Sequence, residues 1–168
     1  MSIENKMETA LIETVKIQAH VLVPLVKALQ AELGEERANA IVRKALGPLY
    51  RSYGERWWQS QGARSFDEKI ASAFEMFAAG DALEYDVVKR TPVAFELNVT
   101  QCRYAEFYKK IGAPELGFLL TCSGDADYFG ADGFDADVRL SVSQTIMQGA
   151  SHCVFRYARR PREKDTRR

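Results

Sequence analysis

The sequence predicts an α+β fold: N-terminal helices packed on a four-stranded antiparallel sheet, with a helical insertion between strands two and three. Two observations predict it. Apolar residues recur every three or four positions from residue 3 to 79, then every second position from Leu83 onward. The two periods also fall in separate blocks, helices first and strands after, which is the pattern of α+β rather than of a parallel α/β design. The chain of 168 residues, 46% apolar and 27% charged, is one domain's worth and has the composition of a globular protein.

Taken in order, Met7, Leu11, Val15, Ala19, Leu22, Val26, Leu29 and Leu33 make the stripe of a first helix. Pro24 cannot donate to the carbonyl of His20, so a kink is expected there, and Gly34 ends the helix. Ile41, Val42, Ala45, Leu49, Tyr53 and Trp57 mark a second helix, which Gly47-Pro48 is expected to break or bend. Ser65-Phe66-Asp67-Glu68 is a capping box opening a third, with Ile70, Ala73, Phe74 and Phe77 inward and Gly80 as its stop.

The strands follow. Leu83, Tyr85 and Val87, then Val93, Phe95, Leu97 and Val99 beyond Pro92, alternate with mostly polar neighbours and predict a hairpin with one apolar face. Short helices near 103–111 and 114–123 lead into a Gly/Asp-rich loop reaching about residue 136. Val138, Leu140, Val142 and Ile146 predict a third strand, and His152 to Tyr157 a fourth, turned back at Gln148-Gly149. The helices are expected on the Phe95, Leu97, Leu140 and Phe155 side of the sheet, and a second copy of the chain (a homo-oligomer) is the alternative partner for their apolar face. Residues 1–158 are expected to form one domain. Arg159, Arg160, Arg162, Lys164, Arg167 and Arg168 make residues 159–168 a basic tail, read as a frayed and solvated end.

Lys+Arg and Asp+Glu both total 23, so bulk charge gives no reason to expect a nucleic-acid or anionic-membrane partner. No apolar run reaches the length of a membrane span and no leader core opens the chain, so a cytoplasmic location is expected. There, three cysteines without a CxxC pair point to free, catalytic or metal-bound thiols rather than a disulfide scaffold.

The chemistry concentrates between Asn98 and Arg156. Regular alternation through residue 102 would set Cys102 on the polar face with Glu96, Asn98 and Thr100, a face that either meets water or is enclosed as a site. Cys122 and Asp125, three apart, share one side of a helical turn. Cys102, Cys122 and Asp125 are expected to converge on one pocket at the end of strand two. A neighbouring carboxylate raises a thiol's pKa, so a thiolate there needs a cation, and His152, Arg103 and Arg156 are the choices. Cys122 and Cys153 equally suit a hydrophobic core. Asp125-Ala126-Asp127 is no EF-hand, because Phe129 and Ala136 fill positions that need oxygen ligands. No cofactor is expected. The alternative is zinc or another divalent ion held by Cys102, Cys122, Cys153 and Asp125.

The ordered set Val99-Thr100-x-Cys102, Tyr104, Gly112-Ala-Pro-Glu-Leu-Gly117, Leu120-x-Cys122-x-x-Asp125, Thr145, Gln148-Gly149 and Cys153-x-Phe155-Arg156 resembles the L-2-amino-thiazoline-4-carboxylic acid hydrolase family. The resemblance covers the C-terminal half. It implies a hydrolase that takes a small-molecule substrate, opening a cyclic isothiourea or amidine at a C–N bond to a carbamoyl product. Cys102, Cys122, Asp125 and His152 are then the catalytic candidates. Asn98, Thr100, Arg103, Asp127, Thr145, Gln148 and Arg156 are the candidates for holding substrate, with Arg103, Arg139 or Arg156 facing its carboxylate. The competing readings are a zinc-binding small-molecule sensor without catalysis and an interaction domain whose cysteines are core.

Overall fold

The computed structural model describes residues 10–125 and 133–160. Helix α1 spans Leu11–Leu33 and α2 spans Glu35–Ser60, joined at Gly34, whose φ of 81° no side-chained residue adopts cheaply. Pro24 and Pro48 both lie inside continuous helices. Of the break or bend expected at Gly47-Pro48, a break is therefore absent. Each proline removes one hydrogen bond, while packing of the turns on either side holds the helix together. Helix α3, Phe66–Ala78, opens on the expected capping box: Glu68 N donates to Ser65 Oγ at 3.4 Å and Ser65 N to Glu68 Oε2 at 2.8 Å.

Strands β1 (Leu83–Thr91) and β2 (Ala94–Cys102) form the first hairpin. The insertion follows as α4 (Arg103–Lys110) and α5 (Pro114–Gly117), and α5 runs on into a π-helical turn, Phe118–Cys122. Strands β3 (Val138–Val142) and β4 (Cys153–Arg159) complete an antiparallel sheet in the order β1-β2-β4-β3. Ile146 lies not in β3 but in a 3-10 turn, Ile146–Gln148. The sheet also outlasts residue 158: Arg159 pairs with Val138, and Arg160 N donates to Asp137 O at 2.8 Å. The remainder of the basic tail, 161–168, lies outside the described residues.

One face of the sheet is buried under α3. Phe95, Leu97, Phe155 and Tyr157 pack there with Ile70 and Phe74, and the Phe74 ring stands 5.4 Å from that of Phe155. A second cluster joins Ala19, Val26 and Val42 of α1 and α2 to Ala105, Tyr108, Leu116 and Leu120 of the insertion. The opposite sheet face is polar. Arg156 meets Glu96 at 3.1 Å and Asn98 at 3.1 Å, and Lys89 reaches Glu96 at 3.8 Å. No helix among the described residues is long and apolar enough to cross a membrane.

Candidate active site

A cavity of about 400 Å³ opens between the two core clusters. Its rim carries Thr14, Gln18, Tyr53 and Met76, which are exposed, while Val99, Tyr108, Thr145 and Cys153 at its inner end are buried. Tyr50, Trp57, Phe74, Phe77 and Phe155 make the walls largely aromatic. Cys102, Cys122, Asp125, Thr145 and Cys153 all line this one space, together with Thr121 and the hydroxyl-bearing rings of Tyr50, Tyr104, Tyr108 and Tyr157.

Cys102 arrives there by a local irregularity. Cys102 pairs with Leu83 and Gln101 with Glu84, but Tyr85 pairs with Val99, so Thr100 is an extra residue in β2. Such a bulge reverses the phase of a strand. Cys102 consequently shares the inward side with Val99 and Leu83 instead of the polar face with Glu96, Asn98 and Thr100. Regular alternation to residue 102 is thus corrected. Cys102 also caps α4, its Sγ accepting from Ala105 N at 3.4 Å.

Cys122 is delivered by the π-helical turn. Ser123 N donates to Phe118 O at 2.7 Å, five residues back, and Ser123 Oγ to Leu119 O at 2.8 Å. A π-turn inserts one extra residue per helical turn and re-aims the side chains that follow, a device frequent at functional sites. Gly117 anchors this turn: a Cβ there would stand 2.5 Å from Tyr108 Cγ and 2.7 Å from Met147 Sδ. Cys153 opens β4, its Sγ accepting from Ile146 N at 3.3 Å. Thr145 caps the 3-10 turn, accepting from Gln148 N at 3.3 Å and donating to Gln148 Oε1 at 3.1 Å.

The electrostatics follow chiefly from burial. Cys122 and Asp125 keep some surface open to the cavity, yet protein encloses them on their other sides, and this desolvation holds both pKa values well above their ordinary ranges. Burial pushes the Cys102 thiol up to about 11, against the pull of the Ala105 N–H. Cys153 is raised in the same way, and the field of Asp125 adds to the shift on all three thiols. Lys109 opposes the shift on Cys153 but is exposed and does not line the cavity. Among the described residues Asp125 makes no hydrogen bond. Burial thus favours the neutral form of all three thiols and the protonated form of Asp125.

The other predicted residues stand elsewhere. Asn98 and Arg156 bind each other on the far face of the sheet. Thr100 donates to Glu84 O at 3.3 Å and Arg103 to Gly80 O at 2.9 Å, both at the surface. His152 pairs with Ser151 Oγ at 2.9 Å outside the cavity, and Gln148 is exposed on the turn that Thr145 caps. Asp127 lies outside the described residues. Sequence reasoning missed the aromatic walls, because Tyr50, Trp57 and Phe77 fall on helical stripes identical to those of a filled core. It also missed Tyr157, which faces the field of Asp125 from β4. No group of three or more His, Cys, Asp or Glu side chains among the described residues is arranged to hold a metal ion.

A family model described as L-2-amino-thiazoline-4-carboxylic acid hydrolase matches residues 14–157. The chain belongs to that family. The match spans α1 to β4 and so takes in every element that contributes to the cavity. The aminothiazoline carboxylate hydrolase assignment extends the C-terminal resemblance back through the helices that roof the site. A search among curated proteins returned no match.

Proposed function

We propose that this member of the family is a hydrolase that opens a cyclic amidine or isothiourea of the 2-aminothiazoline type at a C–N bond, in the cavity around Asp125. The observation that carries this reading is a largely desolvated carboxyl group, without a hydrogen bond among the described residues, facing the same space as Cys102 and Cys122. A buried polar group without a partner calls for an explanation, and a ligand that supplies the partner is one. The amidine carbon is flanked by nitrogens whose N–H groups match a carboxylate in a bidentate pair, as a guanidinium does.

The resting charge state suits such a substrate. A neutral amidine entering the cavity takes the proton of Asp125, giving a carboxylate paired to an amidinium. That cation lies beside the thiols and favours the thiolate that the empty site disfavours. Water, or a thiolate that water later displaces, then adds to the amidine carbon. The ring C–N bond breaks, the ring nitrogen leaves as an amine carrying the proton that the attacking thiol or water gave up through Asp125, and the product keeps a carbamoyl group. Thr145 positions the inner end by fixing the 3-10 turn against Cys153.

The test is turnover of 2-aminothiazolines, with and without a 4-carboxylate, by Cys102→Ser, Cys122→Ser and Asp125→Asn, each checked for folding. Asp125→Asn is expected to lose roughly two to four decades of rate, the range of a proton-transfer group. At least one serine variant should fall by several decades, because a hydroxyl is a far weaker acid than a thiol. Full turnover in all three variants would defeat the proposal.

A further inference from the structure

We propose that helix α1 is the docking surface for a second copy of this chain, which lies antiparallel across it with Ile17 of each copy against Val21 of the other.

The helix is apolar on two faces. Ala19, Val23 and Val26 are buried against the rest of the domain. Ile17, Val21 and Leu25, on the other face, are 68%, 63% and 53% exposed, and the first two are the most exposed large apolar side chains among the described residues. The ten residues from Ile17 to Val26 hold no Asp, Glu, Lys or Arg. A helix that is apolar all round is one that is covered all round. Ile17 and Val21 are also β-branched, which costs helix propensity that contact with water does not offset. A contiguous stripe of this kind marks an interaction surface.

Spacing points to another copy of the same helix. Thr14, Ile17, Val21, Pro24 and Ala28 are all exposed and stand three and four residues apart. That is the seam by which two helices pack side by side at a shallow angle of about 20°. The same seam on both copies is self-complementary, so the contact closes at two.

Charge sets the direction. Glu13 and Lys27 are exposed and two heptads apart, hence on one flank of the seam. Antiparallel pairing brings Glu13 of each copy beside Lys27 of the other, whereas parallel pairing opposes Lys27 to Lys27. Glu13 already meets Lys16 at 2.8 Å, and its two oxygens can accept from both ammonium groups. Matching Glu13 to Lys27 aligns Ile17 with Val21, the two most exposed members of the seam. Thr14 and Gln18 of the same helix line the cavity, so the interface borders its mouth.

Sedimentation equilibrium of the full chain across micromolar concentrations tests this, and a monomer–dimer equilibrium is expected. Val21→Glu, confirmed folded by its melting curve, should weaken association at least about hundredfold, because it buries two unpaired charges in the seam. Glu13→Lys should weaken it several-fold, and adding Lys27→Glu to that variant should restore it, which a merely structural role for either residue would not produce. A chain that stays monomeric overturns the inference, as does a dimer indifferent to Val21→Glu or a double variant no tighter than Glu13→Lys alone. Binding of the monomer to phosphatidylcholine vesicles would assign the stripe to a membrane surface instead. Dimerisation only after residues 1–9 are deleted would assign it to the chain's own N-terminus, and either result overturns the inference too.

Discussion

Asp125 is the residue on which stability and the proposed chemistry pull in opposite directions. Its folded-state pKa lies above the unfolded value because burial disfavours the charged form. Between those two values the native chain holds a proton that the unfolded chain has lost, so stability falls as pH rises through that window. Asp125→Asn removes the titration. The variant should match the wild type below about pH 4, where an unfolded aspartate is protonated, and exceed it at neutral pH. Urea unfolding at pH 4 and pH 7 checks this, and a variant less stable than wild type at pH 7 would contradict it. Cys102 adds a second fall by the same sign. Its thiol is raised to about 11, so its share of stability declines from about pH 8.5 toward that value. Burial makes both groups weaker acids, and the field of Asp125 adds to the effect on the Cys102 thiol.

At the scale of elements, the insertion between β2 and β3 is held by a residue with no side chain. A Cβ on Gly117 would fall within 2.7 Å of both Tyr108 and Met147, and both are buried. Gly117→Ala is expected to cost about 1–3 kcal/mol through overpacking. In a domain of this size that lowers the melting temperature by roughly 2–4 °C per kcal/mol. Activity should fall with it, because Tyr108 lines the cavity; an unchanged melting curve would contradict the packing argument. The helices, hairpins and their order were legible because the apolar period changes cleanly from 3.6 to 2 after Gly80. The convergence of Cys122 with Asp125 was legible from a spacing of three. What stayed hidden were departures from period. A single bulge at Thr100 turns Cys102 inward against the rule that the rest of β2 obeys. The π-helical turn lies in Phe118-Leu-Leu-Thr-Cys122, where four of five residues suit any apolar surface and no alternation betrays the wider turn. Asn98 and Arg156 satisfy each other across β2 and β4, so polarity there marks an outer face rather than a site.

Across the whole molecule the cavity separates two core clusters that a filled interior would have merged. A ligand that occupies it bridges α1, α2 and α3 to the inner ends of β2 and β4, and it binds only the folded chain. At a concentration about 100 times its dissociation constant such a ligand adds about 2.7 kcal/mol, which in a domain of this size is a rise of roughly 5–10 °C in melting temperature. Scanning fluorimetry with a 2-aminothiazoline should show it, and a shift retained in full by Asp125→Asn would place the ligand elsewhere. The strand order carries a further consequence, for how the chain reaches this state. Each hairpin closes between near neighbours, but the central pair β2 and β4 joins residues such as Leu97 and Arg156, 59 apart in sequence. Closing that long loop comes at a greater entropic cost than either turn. The expected order is therefore two hairpins first and their docking last, and it is docking that brings Cys102 at the end of β2 together with Cys153 at the start of β4. Until then the thiols that the native cavity shields are open to oxidants. Pulsed alkylation during refolding should find Cys102 and Cys153 becoming protected together, in the slowest phase; early protection of either one would reverse the order.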